Sequence, residues 1–174
     1  MSAPASSPAK NNTSAGSKYP SIELVKLEPK WQEGLKRFLH DLAESGDGEY
    51  FSPHPADDES VNRIAGYDGK DLYYLLVEAE KVIGYGLLRG WDEGYQIPSL
   101  GVAIHPSVRG AGLGKMFMGF LHLLARRKGA SKVRLRVHKE NDKAISLYKS
   151  LGYVFEEDTN QAGYLVGYKN LGTE

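Results

Sequence analysis

The run Arg109-Gly110-Ala111-Gly112-Leu113-Gly114-Lys115 gathers three glycines and two cations directly before a stretch of apolar residues. Glycine lets the main chain approach a ligand closely and turn its N–H groups toward it. A helix opening at that point adds N–H donors without intrahelical acceptors and a partial positive charge. Arg109 and Lys115 add full charges. The chemistry of such a run is that of a cradle for a diphosphate. A glycine-rich turn ahead of a core helix is the plain structural alternative.

The spacing discriminates among phosphate loops. A Walker loop needs a glycine five places before its second one, followed by Lys and Ser or Thr. Arg109 stands where that first glycine belongs, and Met116 follows Lys115. A dinucleotide fingerprint needs a third glycine three places after the second. Lys115 or Phe117 falls there, depending on where the count begins. The pattern Arg-x-x-Gly-x-Gly remains, met by Arg109, Gly112 and Gly114.

Other chemistries find less support. The chain has no cysteine, which excludes disulfides, thiolate metal sites and a catalytic thiol. His40, His54, His105, His122 and His138 show no paired spacing of the metal-binding kind, so no metal is expected. His105 stands before Pro106 at a strand end and reads as structural. The 22 basic and 22 acidic side chains cancel, leaving no global field to hold nucleic acid. No apolar run reaches the roughly 18–20 residues of a membrane span, and the N-terminus lacks a signal-peptide core. Cytoplasmic location is the expectation.

The elements that must position the glycine run can be read on either side of it. Residues 1–20 are rich in Ser, Ala, Pro, Asn and Gly and are expected to be a disordered tail; 21–174 form one domain. Ile22, Leu24 and Leu27 suggest a first strand. Pro29 opens a helix carrying Leu35, Phe38, Leu39 and Leu42, and a second, short helix is expected over Asp57 to Ala65. Leu72 to Val77 and Val82 to Leu88 form a hairpin across a polar break, and Ile97 to Ile104 is a further strand. Leu113, Met116, Phe117, Phe120, Leu121 and Leu124 recur at helical period, and Gly129 follows as a cap. The cations Arg126, Arg127 and Lys128 crowd that helix's last turn. Val133, Leu135 and Val137 alternate with Arg134 and Arg136, a strand covered on one face. Asn141 caps a helix with Ala144, Ile145, Leu147, Tyr148 and Leu151 that ends at Gly152. Tyr153 to Phe155 and Tyr164 to Tyr168 close the chain as strands. The order predicts an α/β (α+β) fold with a strand–helix–strand crossover from Ile97 through Val137.

With these motifs in order, the sequence resembles the GNAT superfamily of N-acetyltransferases. Leu100-Gly-Val-Ala-Ile-His-Pro106 is similar to the family's fourth strand. Arg109 to Gly114 resembles its pyrophosphate loop. Asn141-Asp-Lys-Ala-Ile-Ser-Leu-Tyr-Lys-Ser-Leu-Gly-Tyr153 resembles its closing segment. The resemblance implies a central mixed, mostly antiparallel sheet of about seven strands flanked by about four helices, and acetyl-CoA as co-substrate.

Residue by residue, the resemblance implies that Val102, Ala103 and Ile104 line the pantetheine arm, with a strand N–H polarising the thioester carbonyl. It implies that Arg109, Gly110, Ala111, Gly112, Leu113, Gly114 and Lys115 wrap the pyrophosphate, and that Asn141 bonds the cofactor from the far side. Tyr148 becomes the general acid that protonates the departing thiolate. An amine titrating near about 10.4 must lose a proton before it attacks. Some members carry a Glu base on the fifth strand, where this chain has Arg136. Glu93, with Asp92 and Tyr95, is the candidate base before the fourth strand; Glu49 and His54 are others, in a loop that Phe51 helps to shape.

The expected activity is transfer of an acetyl group to a primary amine, by direct attack in a ternary complex. A small-molecule acceptor is favoured: Trp91 and Tyr95 suit a sugar ring, Asp92 and Glu93 a cation. A protein or peptide acceptor, a non-catalytic CoA-binding sensor and another nucleotide-binding protein remain open. A homodimer is compatible with the reading.

Overall fold

The computed structural model describes residues 21–172; the expected tail, 1–20, lies outside the described residues. Seven strands form one sheet in the order β1-β2-β3-β4-β5-β7-β6. They are β1 (Ile22–Lys26), β2 (Leu72–Glu78), β3 (Lys81–Arg89), β4 (Ser99–Ile104), β5 (Lys132–His138), β6 (Val154–Glu157) and β7 (Tyr164–Asn170). Four helices flank it: α1 (Gln32–Glu44), α2 (Asp58–Ala65), α3 (Leu113–Arg127) and α4 (Asp142–Ser150). All pairings are antiparallel except β4 with β5. The expected mixed, mostly antiparallel sheet is therefore present.

Two apolar cores form, one on each face of the sheet. Leu35, Phe38, Leu39 and Leu42 of α1 meet Val61, Ile64 and Ala65 of α2 over Tyr73, Leu75, Tyr85 and Leu87. On the other face Phe117, Met118, Leu121 and Ala125 of α3 pack on Leu76, Leu88, Leu100, Val133 and Leu135. The α3 stripe differs from the expected one. Met116 is exposed, while Met118 and Ala125 are fully buried. The helix lies on a single sheet, so only the side chains pointing squarely at it are sealed; Leu113, Phe120 and Leu124 flank the contact and are partly buried.

Gly86 of β3 sets how close α3 can come. A Cβ there would lie 2.6 Å from Phe117 Cζ, nearer than real Cβ atoms come. The glycine lets the aromatic ring rest on the strand backbone and so brings the start of α3 down to the end of β4. Helix ends follow local chemistry. Asp57 caps α2 by accepting from Ser60 N–H at 2.8 Å. Asn141 Oδ1 caps α4 by accepting from Ala144 N–H at 3.2 Å. Gly129, with φ of 87°, ends α3 in the left-handed region.

Candidate active site

β4 and β5 run parallel but meet through a single bridge, Ser99 with Arg134. Beyond it the strands separate, and the gap opens into a cleft of about 830 Å³. The β3–β4 register decides which β4 groups face that gap. His105 N–H bonds to Ile83 C=O at 2.9 Å. In an antiparallel ladder the bonding direction alternates, so Ala103 and Gly101 also turn their backbone groups toward β3. Val102 and Ile104 turn theirs toward the cleft. Among the three β4 residues expected there, Ala103 therefore contributes its side chain, not its main chain.

The glycine run forms one end of the cleft. Gly110 and Gly112 have φ of 87° and 80°, and a Cβ on either would meet no atom within 4 Å. The space a side chain would fill is open, and the left-handed backbone is the conformation glycine adopts without strain. The first helical bond of α3 runs from Met116 N–H to Gly112 C=O at 3.1 Å. The N–H groups of Leu113, Gly114 and Lys115 precede it and have no acceptor in the helix. Lys115 and Lys143 add charge from the two sides. Arg109 lines the same end, but its Nε donates to Ile104 C=O at 2.9 Å, tying the loop back onto β4. Open glycines, helix-start amides and cations together fit a diphosphate.

α4 supplies the opposite wall through Asn141, Ala144, Leu147 and Tyr148, one face of the helix at i, i+3, i+6 and i+7. Tyr148 packs beside Tyr153 and Phe155, with ring centroids at 5.7 and 6.5 Å. Burial pushes its phenol up to about 12. It stays protonated at any ordinary pH, as a proton donor must.

The far end is lined by Leu42 of α1, Tyr50 and Phe51 of the α1–α2 loop, Leu100 and Gly101 of β4, and Arg136 of β5. Leu42 was legible only as core, and Tyr50 carried no signal; α1 brings the first to the gap and the loop after it brings the second. Several expected residues lie elsewhere. Glu93 sits exposed in the turn between β3 and β4 and does not line the cleft. That turn is organised by the buried Asp71, whose Oδ1 accepts from both Gly90 and Trp91 N–H at 2.9 Å. Asp92 accepts from Lys70 N–H at 3.1 Å, and Lys128 covers the Trp91 ring at 4.9 Å. Glu49 is exposed and Ala111 lies beside the cradle without lining the cleft. His54 is buried beneath the site: Nδ1–H donates to Pro55 C=O at 2.8 Å, and Nε2 accepts from Tyr85 O–H at 3.0 Å. Burial holds its pKa below the ordinary histidine value, so the ring is neutral.

Residues 36–153 match the sequence profile of the Acetyltransferase (GNAT) family. The chain belongs to the GNAT family. Among relatives, an L-methionine sulfoximine/L-methionine sulfone acetyltransferase of Salmonella typhimurium is 31% identical over 116 residues, 63% of this chain and 68% of that one. A thialysine N-epsilon-acetyltransferase of Bos taurus is 30% identical over 132 residues, 68% of this chain and 75% of that one. Among solved structures, YncA of Salmonella typhimurium, determined with its cofactor acetyl-CoA, superimposes with a TM-score of 0.71 at 20% identity. The match covers 88% of this chain and 96% of that one. The chain is a GNAT-family acetyltransferase by its match to the family profile. No helix among its described residues is long and apolar enough to cross a membrane.

Proposed function

We propose that the chain moves an acetyl group from acetyl-CoA to the primary amine of a small molecule, by direct attack while both are bound. One observation carries this reading. The cleft between the parted strands has a diphosphate cradle at one end and an aromatic mouth at the other, so two reactants can meet inside it. The named relatives act on thialysine and on methionine sulfoximine, which supports a small acceptor.

Acetyl-CoA supplies an activated thioester. The amides of Leu113, Gly114 and Lys115, with Gly110 and Gly112, hold its diphosphate, and Arg109 braces the loop. Asn141 caps α4 through Oδ1, which leaves its amide nitrogen for the co-substrate. The N–H of Val102 or Ile104 stabilises negative charge on the carbonyl oxygen. Tyr148 gives its proton to the sulfur. No side chain is assigned as base. Glu93 is outside the cleft, and the carboxylates lining it, Glu140 and Asp142, belong to the α4 end. The amine loses its proton to solvent. The lack of cysteine suits a reducing cytoplasm and rules out a thiol intermediate.

The test is an acetyl-transfer screen over amino acids, amino sugars, polyamines and peptides, reading released thiol. Turnover on small amines with intersecting initial-velocity lines is expected. Tight acetyl-CoA binding with no turnover on any amine would instead make the chain a sensor.

A further inference from the structure

Arg136 stands out because of where its charge is. The bridge of Ser99 with Arg134 places Arg136 level with Gly101, two residues along each strand, at the point where the gap opens. The charged residues that line the cleft are Arg109, Lys115, Lys143, Glu140, Asp142 and Arg136. The first five belong to the glycine loop and the start of α4. At the far end, beside Tyr50, Phe51 and Gly101, the charged residue that lines the cleft is Arg136.

Its guanidinium is held from behind. Nε pairs with Asp158, whose side chain is 1% exposed while that of Arg136 is 50% exposed. Asp158 Oδ1 is occupied by Asn160 N–H at 2.9 Å, so this carboxylate acts as a buried support. Nη1 donates to Gln161 Oε1 at 3.1 Å. A guanidinium has five N–H donors, and these two partners engage two of them. The fork is preorganised, and its remaining donors are available to a planar anion.

Aromatic rings gather at the neighbouring position on the same face of β5. His138, two residues on along the same face of β5, lies 5.0 Å from the Tyr164 ring and 5.7 Å from Tyr50. The α1–α2 loop, β5 and the start of β7 thus close over one spot.

We infer that the acceptor is an amino acid, an amine carrying its own carboxylate, and that Arg136 receives that carboxylate while the amine faces the thioester. The inference rests on the acetyl-transfer reading above. It follows from the donors left open on a guanidinium whose charge Asp158 balances. A polyamine needs acceptors there and would meet N–H donors. An amino acid matches the fork with its carboxylate and, once deprotonated, brings an uncharged nucleophile.

The experiment compares kcat/KM for matched pairs: methionine with 3-(methylthio)propylamine, and lysine with cadaverine. Spermidine serves as the polyamine, and glucosamine against glucosamine 6-phosphate is the arm for a different anion. Each amino acid should exceed its decarboxylated partner by about 100-fold or more, because the partner leaves the fork unmatched. Equal or better turnover of the plain amines overturns the inference, as does no turnover of any amino acid. Preference for glucosamine 6-phosphate over every amino acid overturns it too. Calorimetry with acetyl-CoA runs in parallel. If acetyl-CoA does not bind, the acetyl-transfer reading itself falls; if it binds and plain amines win, only this inference falls.

Arg136→Gln alone would strand a buried carboxylate, so the decisive variant is Arg136→Gln with Asp158→Asn. It should raise the KM for the amino acid and shrink the preference to below about 10-fold, with the KM for acetyl-CoA unchanged. Arg136→Lys should retain part of the preference, keeping the charge but losing the fork. An equal loss on both members of each pair would mean that Arg136 only braces the sheet, and would overturn the assignment.

Discussion

His105 Nε2 lies 3.1 Å from Asp41 Oδ2, joining the residue that follows β4 to the last turn of α1. His105 Nδ1 accepts from Ser107 N–H at 3.2 Å, so the ring proton sits on Nε2 and is donated to the carboxylate. That bond is the leading cause that holds Asp41 below the usual carboxylate range. His105 therefore connects the helix that leads into the acceptor loop with the turn that leads into the diphosphate cradle.

Asp41→Ala should loosen that turn without touching the cradle. The expected result is acetyl-CoA affinity reduced by about 3- to 10-fold, in line with about 1 kcal/mol for a hydrogen bond. Calorimetric titration checks it. Unchanged affinity would reduce the pair to packing.

Gly112→Val places a β-branched side chain at a φ of 80°, in space that is now open. Left-handed backbone costs such a residue roughly 1–2 kcal/mol, so the fold should survive with Tm lowered by several degrees. Acetyl-CoA binding should be abolished, because the new methyls stand where the diphosphate belongs. A folded variant that still binds would show that the cradle is elsewhere.

Tyr148→Phe should lower kcat by about 10²-fold or more while the acetyl-CoA Kd moves less than about threefold. The pH profile gives a second check. The phenol is raised to about 12, so it stays protonated and the wild-type rate should climb with pH as the amine deprotonates. A rate that already declines with rising pH before about pH 9 would assign the proton to another donor.

His122 of α3 is hydrogen-bonded to Tyr153 O–H at 2.8 Å, and burial holds its pKa down at about 4. The ordinary value is about 6.5, so between those limits the unfolded chain binds a proton that the folded chain refuses. Stability should fall as pH drops from about 6.5 to about 4. Tm measured across that window should flatten in His122→Gln, and an identical slope would exclude this histidine as the cause.

The sequence by itself was enough for everything that repeats locally. Apolar spacing located α1, α3 and β5, an acidic start marked α2, a capping Asn141 marked α4, and Arg109, Gly112 and Gly114 marked the loop before α3, since such signals act within a turn or two of the chain. The face of α3 was read less well, because Met116 and Met118 are equally apolar and only the sheet chooses between them. At the far end of the cleft the sequence pointed to Phe51 and Arg136, and tertiary structure decided the rest. Glu93 precedes β4 as a base should, yet Asp71 and the turn it holds keep it outside the cleft. The resemblance already set Arg136 at the position where some members carry a Glu base, but its place in the cleft follows from β4 and β5 parting after one bridge. Convergence of residues from α1, the α1–α2 loop, β4 and β5 depends on how far strands separate and where loops land, and no spacing along the chain encodes either.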